Sequence, residues 1–352
     1  MSIFEIDLDI RKAKTLGSEF YTDPDFFELS KEKIFVHSWQ FLGNSSDCPG
    51  LKPATILPGF LDEPVLLVKT DDSLRCLSNV CTHRGKILVE EPCKANLIRC
   101  DYHGRRFSLD GKFLSMPEFE GVEDFPSESD NLRQLPFAAW HGLMFASIDP
   151  ADSFEAFVEE AAVKLGDFDT QGLRLTSTRE YEVNAHWALY CENYLEGFHI
   201  PYVHHGLNEV VDYGSYGTET FRYASLQTAM SEPPAVAGGL TEVSVKADIA
   251  ARYLFIFPNL MFNFYPWGVS VNIVRPVTPS KSVIEFMTYV RDESLIDKGA
   301  GADLHSVEME DEAVVESVQR GIRSRFYSHG RYSPMREQGT HHFHRLILEF
   351  MG

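Results

Sequence analysis

Cys81-Thr-His83-Arg84-Gly85 and Cys100-Asp-Tyr102-His103-Gly104 place a cysteine two and three positions before a histidine, respectively, with sixteen residues between His83 and Cys100. Two such pairs on separate loops carry four soft or borderline ligands to one centre. They can hold two bridged irons, both thiolates on one and both imidazoles on the other, or a single tetrahedral zinc. Replacing two anionic thiolates by neutral imidazoles raises the reduction potential, which suits a relay feeding electrons to oxygen chemistry. Zinc sites more often pair like with like, so the mixed pairs favour iron.

A second constellation is Trp187-Ala-Leu-Tyr-Cys-Glu-Asn193-Tyr194-Leu-Glu196-Gly-Phe-His199-Ile-Pro201-Tyr-Val-His204. Glu196 and His199 are spaced to share one face of a helix, whereas His204 points roughly 140° away from His199 on an ideal one. Both imidazoles reach one metal only if the helix is broken between them, and Pro201, which lacks a backbone donor, is the expected cause. Two imidazoles and a distant carboxylate occupy one face of iron(II) and leave positions for dioxygen beside a substrate. The residues alone leave Glu308, Glu310, Asp311 and Glu312 open as that carboxylate, and a hydrogen-bonded polar core cluster as the alternative. Asn193 reads either as a support for a ligand or as an ordinary core amide.

The elements that position these groups change along the chain. Asp23-Pro24-Asp25 predicts a capped helix start, with the helix ending near His37 or Trp39. From Trp39 to Pro150 short β-type runs alternate with turns such as Asp110-Gly111. A helix is expected over Phe154 to Leu165, strands around Leu173 to Val183, and a helix from Trp187 to His199. Gly206 to Gly239, rich in Gly, Ser and Tyr, reads as a flexible covering loop. Apolar strands at Tyr253–Phe257, Leu260–Tyr265, Val269–Val274 and Val283–Tyr289 suggest an antiparallel sheet. Glu308 to Arg325 and His341 to Met351 read as closing helices.

At 352 residues the chain exceeds the usual size of one core, so two domains are expected. A formal net charge of -20 repels phosphate backbones and argues against nucleic acid as a partner. The acidic runs Glu308 to Glu312 and Glu123 to Asp130 read as solvated faces. Met1 to Arg11 shows no signal-peptide pattern and no stretch has membrane-helix length, so the expectation is a cytoplasmic protein without a membrane partner. Cys48, Cys76, Cys93 and Cys191 read as buried small side chains, and His341, His342 and His344 as packing or interface residues.

The two Cys/His pairs, with Asn79-Val80 and Phe107 through Gly111, resemble the Rieske ferredoxin motif. Asn193-Tyr194-x-Glu196-x-x-His199-x-x-x-x-His204 is similar to the mononuclear iron motif of Rieske non-haem iron oxygenase catalytic subunits. The resemblance runs from Phe35-Trp39 to the end. It implies an α+β fold, with an all-β Rieske domain at 39–150 and a helix-grip catalytic domain with an antiparallel sheet at 151–352. Residues 1–38 would pack back on the latter. It implies a [2Fe-2S] cluster on Cys81, His83, Cys100 and His103, and an iron(II) on His199, His204 and, as the best downstream match, Asp311. His205 lies one position too far for that motif. Glu196 takes the place of the carboxylate linking the two centres, so a head-to-tail homotrimer with His103 touching Glu196 of the next subunit is implied. One departure is Arg105-Arg106, where many relatives have a Trp.

No Gly-rich dinucleotide fingerprint or second Cys cluster is visible, so NAD(P)H electrons must come through a separate flavin or iron-sulfur reductase. A small-molecule substrate and O2 complete the expected partners. Glu196, where aromatic-ring dioxygenases often have Asp, looks more like the choline-, carnitine- and betaine-oxidising members. Phe262, Phe264, Tyr265 and Trp267 on one strand, with Tyr213 and Tyr216 on the covering loop, could cage a quaternary ammonium or be plain core. Oxidation of an N-methylated or quaternary amine is the first functional expectation and aromatic ring hydroxylation the second. An electron carrier without catalytic iron is the alternative of another class.

Overall fold

The computed structural model describes residues 4–166, 172–209, 211–231, 249–296, 301 and 304–352. The chain divides into two compact units, one of Phe35–Ala151 and the other of Met1–Ile34 together with Asp152–Gly352.

The first unit is built from short antiparallel strands: β1 Gln40–Asn44, β2 Leu51–Ile56, β3 Glu63–Lys69, β4 Leu74–Ser78, β5 Ile98–Arg99, β6 Arg106–Phe107, β7 Phe113–Ser115, β8 Gln134–Leu135, β9 Phe137–Trp140 and β10 Leu143–Ala146. They form three sheets, ordered β1-β10-β9, β2-β3-β4-β8 and β5-β6-β7. Central strand β3 has Val65 to Val68 fully buried, which explains why it reads as a continuous apolar run rather than an alternating one. Asp110-Gly111 turns the chain between β6 and β7, with Gly111 at φ +85°, a conformation that glycine adopts without a side-chain penalty. Leu51, Leu66, Leu77, Ile98 and Phe107 form a core that also takes in Cys81 and Cys100. The cysteines of the first constellation are thus seated on packed β-structure.

In the second unit, α1 Ser18–Thr22 precedes α2 Pro24–Ser30. The Asp23 carboxylate accepts from Asp25 N at 2.9 Å and caps α2, with Pro24 at the first helical position where no donor is needed. A π-helical turn, Lys31–Phe35, extends it to within two residues of the expected end. Then follow α3 Phe154–Leu165, β11 Arg174–Val183, α4 Trp187–Tyr194, α5 Ile200–Val203, α6 His205–Asn208, β12 Val211–Thr220, β13 Ala224–Ser231, β14 Ile249–Ile256, β15 Leu260–Tyr265, β16 Gly268–Thr278, β17 Lys281–Val290, α7 Leu304–Gly321 and α8 Gln338–Met351. The seven strands make one antiparallel sheet in the order β11-β17-β16-β15-β14-β13-β12. Helix α7 packs on α4 and β11, α8 packs on β12 and α4, and α3 lies against β13 and β14.

Three expectations are corrected here. The supposed covering loop is in its described part α6 and the sheet strands β12 and β13, while 232–239 lie outside the described residues. Strand β12 escaped notice because it is an edge strand whose pairing slips between Asp212 and Gly217, so it lacks a clean two-residue alternation. Cys48, Cys76 and Cys191 are buried, but Cys93 is exposed. The third correction concerns helix α4, which stops at Tyr194 rather than running to His199.

Candidate metal centres and active site

The two Cys/His loops have the same backbone design. Cys81 N donates to Lys86 O and Gly85 N to Cys81 O; Cys100 N donates to Arg105 O and Gly104 N to Cys100 O, at 2.8 and 3.0 Å in each loop. Gly85 and Gly104 both have φ +73°, which explains the glycine four residues after each cysteine. The loops bring the His83 and His103 rings to a centroid separation of 4.8 Å, and both thiols are buried. Burial pushes the Cys81 thiol up against a backbone hydrogen bond from His83, and neighbouring Cys100 adds to the rise. Burial, His103, Arg105 and Arg84 hold His83 below the usual imidazole range. Among the described residues, buried His103 Nδ1 has no hydrogen-bond partner. Two crowded thiols, the His83 imidazole held below its usual range and an orphaned ring nitrogen on His103 fit a thiolate-binding metal cluster, whose positive charge would favour the thiolates.

Arg105 is itself buried. It pairs with Asp130 at 2.6 Å and lies over the Phe113 ring at 4.8 Å, so an aromatic-walled ion pair stands behind the second loop.

The second constellation lies where the second unit breaks its helices. After α4, Leu195 to His199 form a turn whose organiser is Glu196: its carboxylate accepts from the backbone N–H groups of Phe198 and His199 and lies 2.7 Å from His199 Nδ1. The break is therefore upstream of the position expected from the sequence, and Pro201 sits in the first turn of α5, where its missing donor costs nothing. Gly197 is required by crowding, since a Cβ there would lie 2.7 Å from the Tyr216 ring.

His204 ends α5 and is buried, with Nδ1 2.7 Å from Glu310 Oε2 and Nε2 3.0 Å from Asp311 Oδ1. His199 Nε2 lies 3.5 Å from the same oxygen. Each ring thus meets an orienting carboxylate at Nδ1 and turns Nε2 toward Asp311, the arrangement that supports imidazole ligands to a metal. Ligand atoms of His199, His204 and Asp311 all lie within 4.8 Å of one another. Burial opposes a charged His204, but the hydrogen bonds and charges of Asp311 and Glu310 outweigh it and raise its pKa. Surroundings that hold a proton so well are equally suited to a divalent cation, so the donor set fits an iron with open positions.

The four acids left open by sequence separate by position on α7. Asp311 joins the histidines, Glu310 orients His204, Glu312 is partly buried against no ligand, and exposed His205 takes no part. Glu308, read as part of a solvated run, is 3% exposed and lines the adjoining cavity. Asn193 donates to Asp311.

The cavity, of about 110 Å³, is lined by Glu196, His199, His204 and Asp311 among others. Its walls include Tyr190, Tyr194, Tyr216, Tyr253, Tyr265 and Asn263. Of the aromatics expected there, Tyr265 and Tyr216 line it, whereas Phe262, Phe264, Trp267 and Tyr213 do not. Asn263 pairs with Tyr253, which places both on one face of the sheet, and strand alternation puts Phe262 and Phe264 on the other. Sequence reasoning missed Tyr190, Tyr194 and Tyr253; the first two are spaced four apart on α4, a signal that could have found them. Burial raises the Tyr194, Tyr216 and Tyr265 hydroxyls far above their ordinary range, so these rings stay neutral.

Comparison with known proteins places this geometry in a family. The Rieske [2Fe-2S] domain model matches residues 37–126, and the model for the ring hydroxylating alpha subunit (catalytic domain) matches residues 171–352. Choline monooxygenase of Arabidopsis thaliana, described as chloroplastic, is 30% identical over 98% of this chain and 84% of its own. The carnitine monooxygenase oxygenase subunit of Escherichia coli K12 is 29% identical over 96% of this chain and 94% of its own. A crystal structure of a quaternary ammonium Rieske monooxygenase superposes with a TM-score of 0.79 at 25% identity, covering 98% of this chain and 97% of that one. The α+β architecture, with its β domain and its antiparallel catalytic sheet, is the one these proteins have. Among the described residues no helix is long and apolar enough to cross a membrane. Because one family model covers the cluster loops and another more than half of the chain, this protein belongs to the Rieske non-haem iron oxygenases, as a ring-hydroxylating-type alpha subunit.

Proposed function

We propose that this oxygenase hydroxylates or N-demethylates a quaternary or N-methylated amine, with His199, His204 and Asp311 holding iron(II) and Cys81, His83, Cys100 and His103 holding the [2Fe-2S] cluster. The observation that carries the substrate class is the cavity wall: neutral tyrosine rings beside the carboxyl groups of Glu196, Glu308 and Asp311 suit an organic cation. Relatives whose names specify choline and carnitine support the same reading. Ring hydroxylation of a hydrocarbon would leave the buried Glu308 carboxyl oxygen of the wall without a partner, and an electron carrier would not need the convergent triad.

When bound, the irons supply electron relay and dioxygen activation. The chain supplies the rest: Glu196 and Glu310 aim the two imidazoles, Asn193 steadies Asp311, and the tyrosines hold an N-methyl group beside the open side of the triad. We assign 39–150 as the Rieske domain and 151–352 as the catalytic domain, with 1–38 packed on the latter, which the grouping of Met1–Ile34 with Asp152–Gly352 supports. The working unit is a cytoplasmic homotrimer in which His103 of one subunit meets Glu196 of the next. A separate flavin or iron-sulfur reductase delivers NAD(P)H electrons.

The test is to load the chain with iron and sulfide, count three irons per chain, and supply a reductase, dioxygen and trimethylammonium compounds. Formation of a hydroxylated amine or release of formaldehyde supports the proposal. Oxidation of aromatic acids or hydrocarbons with no amine turnover would count against it.

A further inference from the structure

We propose that Glu308 selects the charge type of the substrate, so that the cavity takes a methylated ammonium ion bearing a hydroxyl or N–H donor and excludes zwitterions that carry a carboxylate. This rests on the amine reading above and narrows it.

Glu308 lies on the buried stripe of α7 and lines the cavity. The Tyr190 hydroxyl donates to its Oε2 at 2.6 Å, which fixes the carboxyl group in place. The other oxygen, Oε1, is buried and has no hydrogen-bond partner among the described residues. The remaining acids of the wall are engaged: Glu196 with His199 and two backbone donors, Asp311 with Asn193 and His204. Glu308 Oε1 is therefore a buried acceptor open to a substrate donor, and such an acceptor favours any ligand that supplies one.

The described wall contains neither Lys nor Arg. A substrate carboxylate would find no cationic partner there and would approach Glu308, a like-charge contact in poorly solvated surroundings. An ammonium head meets the reverse situation, with tyrosine rings around it and a carboxylate in reach. Burial pushes the Glu308 carboxyl up to about 8, the Tyr190 hydrogen bond opposes the rise, and Asp311 and Glu312 add to it. The ionised form, which an arriving cation favours, predominates above about pH 8, so the charge preference is read at about pH 9.

Choline and glycine betaine share a trimethylammonium head and differ in hydroxymethyl against carboxylate, and 3,3-dimethylbutan-1-ol is the neutral isostere of choline. Calorimetric titration of the iron-loaded full-length protein with all three separates the contributions. We expect choline to bind at least about tenfold more tightly than glycine betaine, and E308Q to bring the two within roughly threefold. Y190F, which leaves the Glu308 carboxyl group in place, should retain the preference for choline, shifted to higher pH because the hydrogen bond that opposes the rise is lost. Equal binding of choline and glycine betaine by the unsubstituted protein overturns the assignment to Glu308 and leaves the amine reading standing. So does an unchanged ratio in E308Q with normal iron content. If E308Q does not hold iron, the ratio in the unsubstituted protein decides alone. If the neutral alcohol binds as tightly as choline, or neither ammonium compound binds, both readings fall.

Discussion

Asn193 Nδ2 donates to Asp311 Oδ1 at 2.6 Å, tying the end of α4 to the middle of α7. The same oxygen faces the Nε2 atoms of His204 and His199, so the amide limits how the carboxylate can turn. We expect N193A to weaken iron binding at the triad by about 10- to 100-fold, the usual effect of losing a group that orients a ligand. Mononuclear iron per chain after dialysis against a graded chelator measures it. Unaltered retention would show Asn193 to be an ordinary packed amide.

Glu196 holds its own turn through two backbone donors and touches His199, while the proposed trimer asks it to receive His103 of a neighbour as well. E196Q keeps the acceptor for the backbone but loses the charge. Both iron sites should load normally, while oxidation of the reduced cluster in a single turnover should slow by on the order of 100-fold. Stopped-flow spectroscopy of the cluster band reads this directly. A variant that loses triad iron instead would place Glu196 in support of His199 alone.

His186 titrates as a purely structural group. Its ring is packed against Phe20 and Tyr21, its Nδ1 accepts from Ala188 N at the start of α4, and burial alone lowers its pKa to about 3. The folded state keeps the ring neutral, and the unfolded chain takes up a proton below about pH 6.5. Stability from this group is therefore complete above that pH and falls as pH drops toward 3, by up to about 1.4 kcal/mol per unit. H186N retains a capping side chain and does not titrate. It should be less stable than the parent by roughly 1–3 kcal/mol at pH 8, with the gap closing as pH is lowered to about 4.5. Urea midpoints at several pH values test this, and a gap that does not change with pH refutes it.

Much of the chemistry was legible in one dimension because ligand types and spacings are local. The Cys-x-His-x-Gly and Cys-x-x-His-Gly loops carry both the donors and the glycine that closes each turn at φ +73°. The apolar runs of β14 to β17 and the amphipathic α7 and α8 follow from short-range periodicity. The place of the α4 break was not legible, because it is set by the Glu196 carboxylate capping a new turn and by Tyr216 filling the space above Gly197.

What depended on long-range packing could be decided only by the tertiary structure. An isolated strand alternates Phe262, Asn263, Phe264 and Tyr265 without saying which pair faces a cavity; pairing with β14 and β16 chose Asn263 and Tyr265. An isolated helix likewise presents Glu308 to Glu312 as one acidic run. Packing on α4 and β11 buried Glu308 with Val315 and Gln319, brought Asp311 to the histidines and left Glu310 beside His204. The sequence by itself determined which residues could bind metal and which segments could be helix or strand, since these depend on covalent spacing. Which face of each element turned inward, and so which carboxylate became ligand, support or cavity wall, was decided by where the elements meet, because burial is a property of neighbours distant in the chain.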